Sequence, residues 1–572
     1  MKTTFRTLLI CSSFFFMVPG VNAQVSDQEL INTVFGKDLE VYFSFNAGSK
    51  AEINSLSRSI SIDNVTAELK VYAYANRKEF AEFLSSGLIY EILPHPGDFD
   101  GFINMKDQVN TRQIEEWDFY PTYDGYVDMM SQFAADYPDL CRVYSIGTTN
   151  EGRELLIANI SDNVGLSENE PEFLYTSSIH GDETTGYILM LRLIDYLLSN
   201  YGADPECTYI VDNIDLSICP LANPDGTYYG GNNTVNGARR YNSMGIDLNR
   251  NYPDPAAGPH PDGNQWQTET IHFMNFAGDN HFSAGANIHG GAEVCNYPWD
   301  TWAHLAADDA WWYYVCREYA DTVHVYSPAG YMTDLDNGVT NGYAWYTITG
   351  GRQDYMNYFH QCREFTLEIS DIKLLPANQL PAWWEYNYRS LLNFIEQCTF
   401  GVRGTVKDAS TGWPVEAEVY AVLHEEDSSW TYSTLPGGNY HRLLPEGTYT
   451  IRYSAPGYET AYRNNVTVVN RQATIVDVLL NPNTGVGGLG NSPVNLNVDI
   501  FPNPLTSSHL NIKSAFRIDK ISVLDLTGKQ LITNDIQGQI DHVDLGRLSS
   551  GIYFLRLWTE KGEGIKKIVI SR

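Results

Sequence analysis

The stretch Glu172-Phe-Leu-Tyr-Thr-Ser-Ser-Ile179, then His180-Gly-Asp-Glu183, then Thr184 to Asn200 decides the fold. Its first eight residues form a short apolar run rich in strand formers, which predicts a buried strand. The next four make a tight turn, and a helix is predicted from Thr184 to Asn200. A strand that turns directly into a helix brings side chains to the mouth of an open sheet, where α/β proteins bind ligands. Asp215-Leu-Ser-Ile-Cys-Pro220, Gly285-Ala-Asn-Ile-His289 and Phe365-Thr-Leu-Glu-Ile369 read as further strands. Strands alternating with helices over residues 115–400 predict a mixed-sheet α/β domain flanked by helices.

Working outward, 572 residues are too many for one core, and three to five domains are expected. Lys2 and Arg6 precede an apolar stretch from Leu8 to Val18, and Val21-Asn22-Ala23 offers a small-residue cleavage site, so residues 1–23 read as a secretory signal peptide. That stretch is too short to span a bilayer and no later run reaches 18 apolar residues, so no transmembrane segment is expected. Residues 24–110 predict a small α+β domain, accessory or propeptide-like. Its strands are Leu39–Phe45 and Ala67–Tyr74, and its helices, Lys50–Leu56 and Arg77–Leu84, follow them in a βαβα rhythm. From Gly401 the texture changes to short strands and turns, a β-sandwich signature over residues 401–482. Residues 483–495 are a Gly- and Asn-rich linker, and 496–572 form a last β-rich unit. The fold class is therefore an α/β domain preceded by a small α+β domain and followed by two small all-β domains.

The formal charge is −33, which disfavours nucleic acid as a partner because phosphates need a cationic surface. The tail from residue 496 carries ten bases against eight acids, so the acidity lies upstream, where it keeps the protein soluble or steers cationic peptides. Cys11 leaves with the signal. The remaining seven, Cys141, Cys207, Cys219, Cys295, Cys316, Cys362 and Cys398, are odd in number, so at least one thiol stays unpaired within the monomer.

Chemistry gathers at the quoted turn. His180-x-x-Glu183 alone is weak, but it sits between strand and helix, and His289 ends another strand with Gly290-Gly291 behind it to let backbone come close. Two histidines and a carboxylate suit zinc and leave a fourth position for water. Asn223-Pro-Asp-Gly226 and Arg240-Tyr-Asn-Ser-Met-Gly-Ile-Asp-Leu-Asn-Arg-Asn-Tyr-Pro253 follow. Guanidinium groups beside a metal site can grip a terminal carboxylate and stabilise an oxyanion. Glu368 interrupts an otherwise apolar strand, a place where a carboxylate is rare unless paired or functional.

In these motifs and their order the chain resembles the zinc metallocarboxypeptidases, in particular the branch containing carboxypeptidases E, N and D, over roughly residues 115–480. The resemblance implies one catalytic Zn2+ on His180, Glu183 and His289. It places Asn249 and Arg250 on the substrate's C-terminal carboxylate and Arg240 at the oxyanion. Arg240 is preferred to the adjacent Arg239 because it stands nine residues before Asn249, the branch's spacing. Glu368 matches the general base, and Tyr346, in Trp345-Tyr-Thr-Ile-Thr-Gly-Gly-Arg-Gln-Asp354, matches the mobile substrate-binding tyrosine. Asp300, ending His289-Gly-Gly-Ala-Glu-Val-Cys-Asn-Tyr-Pro-Trp-Asp300, and Gln353 match the pocket residues with which that branch receives Lys or Arg. The competing reading of Asp300 is the cap of a helix starting near Thr301. Asp182, Ala292 and Cys295 depart from the branch's pattern and remove no group the chemistry needs.

Gly401-Val-Arg-Gly-Thr-Val-Lys-Asp408 and Leu444-Pro-Glu-Gly-Thr-Tyr-Thr-Ile451 resemble the transthyretin-like domain of that branch. Phe501-Pro-Asn-Pro504, Leu548-Ser-Ser-Gly-Ile-Tyr-Phe554 and Lys566-Lys-Ile-Val-Ile570 resemble the C-terminal sorting domain of Bacteroidetes type IX secretion, which implies that machinery as a partner and a secreted or surface-attached protein. The expected activity is removal of single C-terminal residues, preferably Lys or Arg, from peptides and proteins. The alternatives are a peptidoglycan peptide hydrolase on the same fold and an inactive surface-binding homologue.

Overall fold

Alternation in Glu40-Val-Tyr-Phe-Ser-Phe-Asn46 makes a strand, β1, that buries Phe43 and Phe45 against Phe80 and Phe83 of the helix Arg77–Leu84. Asn76 caps that helix and Glu79 closes the capping box. With β2 (Ser61–Val65), β3 (Lys70–Asn76) and β4 (Tyr90–Ile92), β1 forms an antiparallel sheet in the order β2-β3-β1-β4. The expected βαβα rhythm needs correction, because β2 is a strand inserted after the helix Lys50–Leu56. Ser-Ile-Asp-Asn-Val has too little apolar periodicity to register as a strand. It becomes one by pairing with β3 at the sheet edge and burying Ser61, Ile62 and Asp63 against the following domain.

The computed structural model describes residues 27–36, 38–114, 116–483, 498–514, 517–525, 529–538, 542–559 and 562–571. The expected signal peptide and all but residue 483 of the expected linker lie outside them. A short parallel pair, β5 (Met105–Lys106) and β6 (Tyr120–Pro121), leads into the central domain.

That domain is built on β7 (Cys141–Thr148), β8 (Glu154–Ile160), β9 (Glu172–Ser177), β10 (Asp215–Cys219), β11 (Phe282–His289), β12 (Ala292–Tyr297), β13 (Val339–Asn341) and β14 (Arg363–Ser370). They form one mixed eight-stranded sheet in the order β13-β12-β14-β11-β9-β10-β8-β7. The quoted strand β9 lies between two parallel neighbours, β10 and β11, and every residue after its first is buried, as an unbroken apolar run in a sheet covered on both faces should be. The helices Thr185–Asn200, Asp309–Tyr326 and Leu380–Gln397 cover one face, with Tyr187, Trp312, Trp384 and Phe394 meeting Phe173, Tyr175 and Phe365. Leu174, Phe273, Phe276 and Met356 fill the other face.

Residues 401–480 form two sheets, one around Gly401–Asp408 and one around Gly447–Ser454, with Val402, Val406, Val419, Ile451 and Tyr453 between them. A buried ionic knot ties them to the central domain. Asp308 accepts from Arg363 at 2.7 Å, from Arg442 at 3.0 Å and from His424 at 2.8 Å, and Glu425 accepts from Arg442 at 2.7 Å. Burial alone would raise the Asp308 carboxyl, but Arg442 and Arg363 hold it well below the usual carboxylate range.

The chain divides after Pro482 into two units. In the second, the described strands make a three-stranded and a four-stranded sheet around Leu510, Ile521, Val523, Leu555 and Ile568. Among the described residues no helix is long and apolar enough to cross a membrane, and the seven cysteines from Cys141 to Cys398 are free and buried.

Candidate active site

Three strand ends meet at the carboxyl edge of the sheet. β9 runs out at Ser177, and the turn beyond it carries His180 and Glu183. Gly181 is required in that turn, because a Cβ there would lie 2.3 Å from the backbone carbon of Gly226. β11 ends on His289, whose register partner on parallel β14 is Glu368.

His180, Glu183 and His289 are buried with their ligand atoms mutually within 4.8 Å. His180 Nδ1 lies 2.9 Å from Glu183 Oε1 and 3.1 Å from His289 Nδ1. Glu183 Oε2 approaches His289 Nδ1 to 2.8 Å without forming an aligned hydrogen bond. The outer nitrogens are held from behind, His180 Nε2 by Asp247 at 3.0 Å and His289 Nε2 by Asn287 at 2.8 Å. Such outer partners fix ring orientation at metal centres. Burial pushes the His289 imidazole down to about 4, so the ring is neutral and keeps a lone pair. Burial opposes ionisation of Glu183, but His180, Lys373 and His289 hold it well below the usual range, so it is a carboxylate. Two nitrogens and an anionic oxygen lie close enough to share one ion, and this N2O donor set fits zinc.

Arg240 flanks this cluster. Its Nη1 lies 3.3 Å from Glu183 Oε1, and its Nε donates to Asp247 at 3.1 Å. The neighbouring Arg239 turns outward to Asp98 at 2.8 Å and Asp38 at 3.3 Å. Glu368 Oε2 is buried with no hydrogen-bond partner. Burial, followed by the charge of Glu183, pushes its carboxyl well above the usual range against the pull of Lys373.

A second cluster lies beside the first. Arg250 donates through Nη1 to its neighbour's carbonyl, Asn249 O, at 2.9 Å, and Asn249 Oδ1 accepts the Arg352 amide at 2.8 Å. Tyr346 and Arg250 both donate to Ile62 O, at 3.2 and 3.3 Å. Asp300 is buried and accepts from Asn296 Nδ2 at 3.2 Å. Gly342 makes room for it, since a Cβ there would stand 1.7 Å from Asp300 Oδ1. Burial pushes the Asp300 carboxyl up to about 7, with Asn296, Arg250 and Gln353 opposing. Gln353 Oε1 accepts the Thr366 amide at 2.8 Å and its Nε2 has no protein partner. The helix-cap reading of Asp300 is overturned: the next helix starts at Asp309, and the Asp300 and Thr301 amides are taken by Asp354 at 3.1 and 2.8 Å.

Sequence reasoning missed four groups. Asp247 lies within the quoted arginine motif and Asn287 stands two residues before His289, so both could have been sought as partners behind the histidines. Lys373, five residues past Glu368, puts Nζ 2.7 Å from Glu183 Oε1 and 2.5 Å from Gly290 O. Asp63 arrives from another domain, and no motif announces it.

Residues 126–390 match the zinc carboxypeptidase family, 401–481 the carboxypeptidase regulatory-like domain and 499–571 the secretion system C-terminal sorting domain. Carboxypeptidase D of Mus musculus is 37% identical over 367 residues, a match covering 61% of this chain and 26% of that protein, so the chain spans about a quarter of that relative's length. Carboxypeptidase SOL1 of Arabidopsis thaliana is 34% identical over 411 residues, covering 69% of this chain and 80% of its own. Carboxypeptidase M of Mus musculus is 33% identical over 374 residues, covering 61% and 81%.

Proposed function

This chain belongs to the zinc carboxypeptidase family, and on that premise we propose that it is an exported zinc metallocarboxypeptidase that releases C-terminal residues, Lys and Arg by preference, from peptides and proteins. The observation that carries the reading is the placement, beside one N2O donor cluster, of a guanidinium, a phenol and a buried acid. When bound by His180, Glu183 and His289, zinc supplies Lewis acidity toward a carbonyl and toward water at neutral pH.

The remaining work belongs to the chain's own residues. Arg250 and Asn249, its Oδ1 already held so that its NH2 serves as donor, take the terminal carboxylate. Tyr346 closes over it. Arg240 holds the negative oxygen that develops as the peptide carbonyl is attacked. Glu368, whose buried Oε2 has no partner within the protein, takes a proton from the attacking water and delivers it to the leaving amine. Asp300 and Gln353 receive the cationic side chain. A buried acid lacking its partner is costly, so Leu- or Phe-ended peptides are rejected.

The tail domain supports export, and we assign its partner as the type IX secretion machinery, leaving the protein secreted or held at the cell surface. A peptide panel varying only the last residue tests the activity, using zinc-loaded protein both intact and after limited proteolysis. Release of single Lys or Arg residues is expected. Cleavage confined to peptidoglycan peptides would replace this reading with the alternative hydrolase.

A further inference from the structure

Two of the buried free thiols meet beneath the helix Asp309–Tyr326. We propose that Cys295 and Cys316 form a disulfide in the exported protein, tying β12 to that helix.

Alternation along β12 decides where Cys295 points. Cys295 and Tyr297 share one face, and Asn296, whose amide reaches Asp300, takes the other. Cys295 is the register partner of Leu367 on β14 and of Val339 on β13, and all three pack in the core under the covering helices. On the helix, Trp312, Val315, Cys316, Tyr319 and Val323 are buried at the spacing of a single stripe. The rings of Trp312 and Tyr319 lie 6.3 and 6.4 Å from that of Phe365, which stands two residues before Leu367 on the same face of β14. Cys316, one turn from each, therefore lies over Leu367 and its neighbour Cys295. Tyr297, next along that face of β12, meets Asp309, two turns earlier in the helix. Strand and helix thus run in opposite senses, and the two contacts agree.

The other thiols are placed elsewhere. Cys219 and Cys362 belong to the core on the opposite face of the sheet, and Cys141 lies on β7, at the far edge from β12. Cys398 donates to Ile395 O at 2.9 Å, and Cys207 sits beside Asp204. Cys295 also departs from the branch's pattern, which therefore does not account for a thiol at this position.

Both sulfurs are fully buried, and burial, followed by the neighbouring Cys295 thiol, pushes the Cys316 thiol well above its ordinary range. Such thiols ionise poorly once enclosed, so the bond forms while the chain folds. The oxidant is a small disulfide such as oxidised glutathione. One cysteine thiolate attacks its S–S bond and displaces a thiolate, leaving a mixed disulfide. The second cysteine thiolate attacks that intermediate, closes the Cys295–Cys316 bond and displaces the other thiolate. Two electrons pass to the oxidant, and the two protons lost by the cysteines end on the two thiols released. The match of the tail to a secretion sorting domain supports a setting in which such bonds persist. The loop so closed contains Asp300 of the second cluster and Asp308 at the centre of the ionic knot. Closing it removes disorder from the unfolded chain and so stabilises the folded one.

The test refolds the full chain with zinc, either in oxidised glutathione or in dithiothreitol, and collects the folded monomer. Free thiols are then blocked with iodoacetamide in denaturant, and peptide masses locate the rest. In the oxidised sample Cys295 and Cys316 should escape alkylation and appear as one cross-linked peptide pair. The Tm of that sample should exceed that of the reduced one, and the difference should vanish in Cys295→Ala, or in Cys316→Ala if the first does not fold. Alkylation of both cysteines in the oxidised, folded protein overturns the inference, as does a bond from either to another cysteine. A Cys295–Cys316 bond that leaves Tm unchanged overturns the fastening of strand to helix.

Discussion

On the proposed reading, Asp300 couples recognition of a cation to its own ionisation. Its carboxyl stands near 7 in the folded protein against 3.8 ordinarily, so the empty pocket holds a proton that the unfolded chain has already lost. The stability this gives is present at low pH and is lost as pH rises through about 7. A Lys or Arg side chain needs the ionised form, so its binding runs the other way and improves over the same window. The kcat/KM ratio of Arg- to Leu-terminated peptides should therefore climb from pH 6 to 8. In Asp300→Asn the climb should vanish, along with most of a preference of about 10². A ratio flat with pH in the parent protein would contradict this role. Glu368→Gln should keep its zinc and bind peptide while turnover falls by about 10² or more, since on the proposed mechanism the lost carboxylate handles the proton in both steps; metal analysis and single-turnover rates check this. At this scale His180, Glu183, His289 and Glu368 were legible because strand-end geometry and local motif coincide. Lys373 and Asp63 were not, because a single charged side chain carries no signal until the fold brings its partners to it.

Among elements, β9, β11 and β14 were legible because strands covered on both faces keep short apolar runs, Phe173–Tyr175, Gly285–Ile288 and Phe365–Ile369, even where a polar residue interrupts them. The inserted β2 escaped for the opposite reason: Ser61, Asp63 and Asn64 break any apolar pattern, and the segment becomes a strand only by pairing with β3. The ionic knot was equally silent, since Asp308, Arg363, Glu425 and Arg442 are separated in sequence and only burial makes them interdependent. Removing one side of such a knot leaves uncompensated buried charge. Arg442→Ala, at a fully buried position facing Asp308 and Glu425, should cost about 3–5 kcal/mol by denaturant unfolding. A loss under about 1 kcal/mol, the range of an exposed pair, would show that the knot does not hold the two domains together.

At the scale of the whole chain, composition shifts marked the units better than any single motif. The acidic bulk, the linker composition and the slightly basic tail were visible at once, whereas the contact of Ile62 with Tyr346 and Arg250 required coordinates. If the tail is a sorting signal, protein recovered outside the cell should lack roughly its last 75 residues, the stretch beyond the linker; intact mass decides this, and Arg572 on exported mature protein would count against it. The most direct test of the central claim follows single-residue release from peptides ending in Arg, Lys, Leu or Phe, using the zinc-loaded full chain, before and after chelation. Release of Arg and Lys at about 10² times the rate of the others, lost with the metal and restored by zinc, is the predicted result. Undiminished release from metal-free protein, or equal release of all four residues, would contradict it.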